Sequence, residues 1–183
     1  FAVRGDPTKL KDKTRTCENI LIDNCVCRNS ASTVRIGVGS GAIRHVRLRG
    51  LTISHAGRAL HVQCAYGLKS PGVSIEDVAF SDITIREAGE AIRVTGGQPQ
   101  SMATLKGIAF TNIRAESYGP LVIEGKGQTR ATDIRLSNVN VSFVKGPNGL
   151  ATDGESHPGK ADARAAVRVE SADDVRFENC RFT

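Results

Sequence analysis

The sequence has no Trp, a single Met and only 4% aromatic residues. A core of large rings is therefore excluded, and the interior has to be filled by Val, Ile, Leu and Ala, as the inward stacks of repeat folds are. No stretch is apolar for long enough to cross a membrane and no signal peptide is visible, so no membrane partner is expected. No segment carries a sustained period of 3.6 residues, which argues against helical repeats. The five cysteines are odd in number and irregularly spaced, which speaks against a disulfide framework. Cys25-Val26-Cys27 has the wrong spacing for a zinc knuckle and no second pair follows it, so no metal and no cofactor is expected.

What the chain does have is a repeat. Asn19 to Cys27, His45 to Ile53, Asp77 to Ile85, Gly107 to Ala115, Asp133 to Val141 and Asp174 to Phe182 are six copies of one pattern. Their starts at 19, 45, 77, 107, 133 and 174 give a period of about thirty residues, which is the range of a solenoid. Within each copy apolar and polar residues alternate, as in Ile20 and Ile22 or Val78 and Phe80, the period of a strand with one buried face. One residue tolerant of left-handed backbone interrupts each alternation: Asn24, Gly50, Asp82, Asn112, Asn138 and Asn179. Stacked coil on coil, these side chains could bond their neighbours as a polar ladder. A second pattern follows each of the first five copies, at Val34 to Gly37, Leu60 to Gln63, Ala91 to Thr95, Leu121 to Glu124 and Val167 to Glu170, with Phe1 to Arg4 as a further partial copy. Strand, bend, strand, turn and strand make one rung of a right-handed parallel β-helix, so the expected fold is all-β, a single domain over 1–183 of about six coils.

The repeat register assigns the cysteines. Cys25 and Cys180 fall where other copies place Leu51 and Ile83, and Cys27 falls where they place Ile53 and Ile85, so these three are expected as small buried hydrophobes. Cys17 and Cys64 lie at coil edges, where they could pair. The chain begins with Phe in the middle of a rung, followed by a polar loop from Gly5 to Thr16. A rung cut in this way leaves an open apolar end, so the chain is expected to be the C-terminal part of a longer β-helix whose N-terminal portion, or a partner chain, covers that end. The long last interval holds a polar run over 145–164 with several glycines and two prolines, expected as a loop projecting from one coil.

The outward positions of the second pattern carry the functional signal. In order they are Ala2, Arg35, His61, Arg93, Val122 and Arg168, and two residues on come Arg4, Gly37, Gln63, Thr95, Glu124 and Glu170. On adjacent rungs Arg35, His61 and Arg93 would stand roughly 5 Å apart, a row of cations that is costly without an anionic partner. With a net charge of +6, the candidate partners are nucleic acid or an acidic polysaccharide. Solubility is the alternative, with the row relieved by acids such as Glu76, Glu87 or Glu90. The substrate-binding candidates are Arg35, His61, Arg93, Gln63 and Arg4.

The runs Glu18 to Cys25, Ser32 to Gly41 and Ile43 to Val46 resemble the middle coils of glycoside hydrolase family 28, the polygalacturonase-like enzymes among the pectin-lyase-like β-helices. The resemblance extends more weakly over most of the chain. It implies a polysaccharide-degrading glycosidase, acting on an acidic polysaccharide or oligosaccharide rather than nucleic acid, and a secreted or periplasmic location. The family's Asp-Asp pair and Asn-x-Asp motif fall upstream of Phe1 in this register, its His falls near Ser32, and its Arg-x-Lys falls on His61 and Gln63. The chain departs from the pattern at each of these covered positions, so its catalytic residues are unassigned. Asp173-Asp174 sits at the start of a copy and reads as turn chemistry. Two other functions compete: a polysaccharide lyase with Arg35 or Arg93 as base, and a non-catalytic binding or structural β-helix of the tailspike or adhesin type.

Overall fold

A computed structural model describes residues 1–67, 70–145 and 166–183. Twelve strands make up the fold: β1 (Ala2–Gly5), β2 (Cys17–Asp23), β3 (Val26–Gly39), β4 (Ala42–Arg49), β5 (Thr52–Gln63), β6 (Ser74–Thr95), β7 (Leu105–Ser117), β8 (Leu121–Glu124), β9 (Ala131–Phe143), β10 (Val167–Glu170), β11 (Ala172–Glu178) and β12 (Arg181–Phe182). All pairings between them are parallel. Because each strand pairs with the strand one repeat later, the chain winds as a parallel β-helix. The first pattern of every copy stacks in one column, from β2 through β4, β6, β7 and β9 to β11. Those six strands span five steps from rung to rung. No helix among the described residues is long and apolar enough to cross a membrane.

The bends expected at Asn24, Asp82, Asn112, Asn138 and Asn179 all have φ between 50° and 56°, and Gly50 has φ 63°. At each one the alternation resets: Ile22 points inward, Asp23 outward, Asn24 turns the chain, and Cys25 points inward again. Two further columns do the same. Asn19, His45, Asp77, Gly107, Asp133 and Asp174 form one, and Asn29, His55 and Glu87 the other, all with positive φ. The turn chemistry read at Asp174 is thus part of a bend column. The polar ladder forms on the solvent side, where Asn138 Nδ2 donates to Asn112 Oδ1 at 3.1 Å and Asn112 Nδ2 donates to Asp82 Oδ1 at 2.9 Å.

Inside, each inward position becomes a column of like residues. Ile43, Ile75, Leu105 and Ala131 are paired in register, as are Val46, Val78, Ile108 and Ile134, and all are fully or almost fully buried. Phe80 and Phe110 stack with centroids 4.8 Å apart and planes 2° from parallel. Cys27 is paired with Ile53, as its register requires, and Cys25, Cys27 and Cys180 pack against the core while remaining partly exposed. Cys17 and Cys64 are both free thiols, so the pairing open to them is not formed. Cys17 lies on β2 opposite Ile43, whereas Cys64 is buried with its Sγ 3.8 Å from the Thr104 carbonyl. The polar segment after β1 contains a short 3-10 turn, Pro7–Lys9, capped by Asp6. The projecting loop expected at 145–164 lies, beyond Lys145, outside the described residues.

The ladder gives a stability test. Asn112→Gly keeps the left-handed backbone and removes the side-chain bonds, for a loss of about 1 kcal/mol. Asn112→Leu adds the left-handed penalty of a side chain that cannot bond locally, a further 1–2 kcal/mol or so. Urea unfolding should rank the wild type above the Gly variant and the Gly variant above the Leu variant. Equal stabilities for the two variants would show that the bend, as described, places no demand on residue type.

Candidate functional site

The third face of the helix is built from β1, the last residues of β3, β5 and β6, then β8 and β10. Register pairs Arg35 with His61 and His61 with Arg93, so the expected row of three forms on neighbouring rungs. A second row runs beside it, because Ser32 is paired with Arg58 and Arg58 with Glu90. Residues three apart, Ser32 and Arg35, Arg58 and His61, Glu90 and Arg93, thus form a grid of two rows across three strands.

The grid distributes its charge unevenly. Glu90 bridges two guanidinium groups: Arg93 Nη1 is 2.9 Å from its Oε1, and Arg58 Nε is 3.3 Å from its Oε2. Arg58 is only 6% exposed, so this contact lies in a largely dry environment. Arg93 is therefore ion-paired, as the alternative to ligand binding required of it, with the single charge of Glu90 shared between Arg93 and Arg58. Of the other two acids considered for that task, Glu87 pairs with His55 at 2.6 Å and Glu76 lies on the first face opposite Arg44. Among the described residues Arg35 has no carboxylate partner. Its guanidinium lies over the ring of Tyr66, 5.2 Å from the centroid, in a cation–π contact.

Tyr66 also covers His61. Its hydroxyl is 3.2 Å from His61 Nδ1 and the two rings meet edge to face at 5.7 Å. The segment that carries Tyr66 is anchored from the next rung by Gln98, whose Nε2 donates to the Tyr66 carbonyl at 3.4 Å. His61 is wholly buried although it points away from the core. Burial, followed by the charges of Arg58 and Arg93, pushes its pKa from 6.5 down to about 3, against a small opposing effect of Gln63. The ring is neutral at ordinary pH, so the expected row of cations is in fact two cations separated by a neutral donor and acceptor. A phenol that donates to Nδ1 puts the ring proton on Nε2, and one that accepts puts it on Nδ1.

Several polar atoms of this face are buried without a hydrogen-bond partner among the described residues: Ser32 Oγ, Thr33 Oγ1, Arg35 Nε and His61 Nε2. Buried polar groups are normally satisfied, and here three of the unsatisfied atoms belong to one grid. Gln63 adjoins His61, where its side chain acts on the imidazole, while its Nε2 donates to the Ala65 carbonyl 2.8 Å away; Arg4 stands apart, exposed on β1 where the register shifts between Val3 and Gly5. Towards the C-terminal rungs the face is closed by ion pairs, with Arg168 2.5 Å from Glu124 and 3.6 Å from Glu170. Comparison with protein-family models, with curated proteins and with solved structures found no match.

Arg58, Tyr66 and Ser32 were not among the sequence candidates. Arg58 and Ser32 stand three residues before His61 and Arg35, an odd spacing that strict strand alternation puts on the opposite face, so the repeat pattern carried no signal for them. Tyr66 lies between strands, where no repeat register reaches it.

The burial of His61 has a pH consequence. Between about pH 6.5 and 3 the unfolded chain binds a proton that the folded chain refuses, so stability is complete above that window and falls on acidification, by up to about 1.4 kcal/mol per pH unit. His61→Gln removes this term. Denaturant unfolding at pH 7, 5 and 4 should show the variant losing less stability than the wild type; parallel losses would contradict the neutral buried imidazole.

Proposed function

We propose that this β-helix is a carbohydrate-active protein that holds an acidic saccharide against the Arg35 and His61 end of its third face. The observation that carries the reading is the set of unsatisfied atoms Ser32 Oγ, Arg35 Nε and His61 Nε2 on adjacent rungs. With the proton of His61 on Nε2, all three can donate, and donors without acceptors suit a carboxylate, whose oxygens accept from several N–H and O–H groups at once. The likeness to polygalacturonase-like enzymes, carried by Ser32 to Gly41 among other runs, supports the same substrate class. Under this reading the protein works where such polymers are found, secreted or in a periplasm.

The hydrolytic form of the proposal needs two carboxyl groups flanking the scissile bond. Glu90 is the acid of this grid and is held between Arg58 and Arg93, so the catalytic pair is assigned to residues outside this face, in keeping with the resemblance, which sets them upstream of Phe1. A non-catalytic saccharide-binding β-helix is the second reading, favoured by that same neutralised Glu90. Products separate the two. A hydrolase acting on oligogalacturonide yields new reducing ends without unsaturation, a binder yields no new ends, and an unsaturated, ultraviolet-absorbing product would indicate a lyase.

Binding tests what the readings share. Arg35→Ala removes a cation with no carboxylate partner among the described residues and should weaken calorimetric binding of oligogalacturonide about tenfold or more, with the melting temperature lowered only by the loss of its contact with the Tyr66 ring. Unchanged affinity would end the proposal for this face.

A further inference from the structure

A groove of about 410 Å³ runs along a different part of the helix, at the bend between the first and second strands of each rung. It is lined by Asp82, Thr84, Asn112, Arg114, Asn138 and Asn140 and shares no residue with the grid around His61. Thr84, Arg114 and Asn140 are register partners on three successive rungs, and Asp82, Asn112 and Asn138 are the bonded bend ladder beside them. The groove therefore has two parallel rows of polar side chains along the helix axis.

The two rows differ in what they have left to offer. The ladder bonds fix Asn112 and Asn138 in place and leave the second carboxylate oxygen of Asp82, the Asn138 carbonyl and one N–H of each amide without a partner among the described residues. In the other row, the side chains of Thr84, Arg114 and Asn140 make no hydrogen bond or ion pair with any described residue, and all three are exposed. Arg114 contrasts with the arginines of the first strands, where Arg47, Arg49, Arg135 and Arg176 each hold a carboxylate at 3.0 Å or less.

We infer that this groove is a second saccharide-binding surface, in which the amides, Thr84 and Asp82 take sugar hydroxyls and Arg114 takes one carboxylate of a uronide. Alternating fixed donors and acceptors match vicinal hydroxyls, each of which donates and accepts. The planar fork of a guanidinium matches a carboxylate in bidentate fashion. Nucleic acid fits less well, since no aromatic side chain lines the groove for a base to stack on. The inference takes its polymer class from the reading of the third face and adds a separate surface, so one long saccharide could be held at two places on a rigid scaffold.

The experiment is a backbone and side-chain amide NMR titration of the wild type with oligogalacturonide, and with a neutral cello-oligosaccharide for comparison. Shifts at Thr84, Arg114 and Asn140 with the acidic oligosaccharide, weakened about tenfold by Arg114→Gln without loss of the folded spectrum, are the expected result. Shifts confined to Arg35, His61 and Tyr66 would overturn the second surface and leave the third-face reading standing. Shifts confined to the groove would leave the second surface standing and remove the third-face reading. Equal shifts with the neutral oligosaccharide, insensitive to Arg114→Gln, would overturn the role of Arg114, and no shift at either face would overturn both proposals.

Discussion

The whole structure depends on one backbone constraint, the residue held at positive φ wherever the chain passes from one sheet to the next. In an uninterrupted strand the side chains alternate strictly, so an apolar residue cannot stay inside as the chain turns a corner unless the phase is reset. A single left-handed residue does this, giving inward, outward, bend, inward at Ile22, Asp23, Asn24 and Cys25 and at the equivalent positions of later rungs. Once the phase is reset at the same point on each rung, parallel pairing holds every inward residue above its counterpart. The stack through Leu48, Phe80, Phe110 and Leu136 follows from that, as does the alignment of Arg35, His61 and Arg93.

How far this was legible in the sequence depends on the chemistry of each bend. The column through Asn24, Gly50 and Asn112 could be read because Asn, Asp and Gly are the residues that adopt left-handed backbone at least cost. The column through Asn29, His55 and Glu87 was not read, since His and Glu carry no such signal and the strand pattern appears continuous through them. As a result Arg58 had no assigned face, and the ion pairs that Glu90 makes with Arg58 and Arg93 could be raised only as one alternative. The register of Cys25, Cys27 and Cys180 was legible for the converse reason: they substitute for aliphatic residues in a strictly periodic column. The burial of His61 was not, because it depends on Tyr66, which comes from between strands.

Burial also changes the chemistry of the candidate face. A row of three cations would repel itself and attract any polyanion with little selectivity. The face instead has Arg93 ion-paired, His61 neutral and Arg35 held over an aromatic ring, with donor atoms turned to no acceptor among the described residues. That arrangement is more selective than net charge, since it asks for oxygen acceptors at fixed positions on two rungs and not merely for a negative surface. The excess positive charge of the chain resides partly elsewhere, on unpaired arginines such as Arg114.

The account rests on His61 being a neutral, buried imidazole that accepts from Tyr66 and presents Nε2–H, which requires both the rung register and the covering segment to be as described. Imidazole ¹⁵N NMR across pH 3.5 to 8, with the signal assigned through His61→Gln, measures this directly. The account predicts a single neutral tautomer protonated on Nε2 with no titration until the pH falls to about 4 or below. A ring that titrates near 6.5, or that averages between its two tautomers, would contradict it.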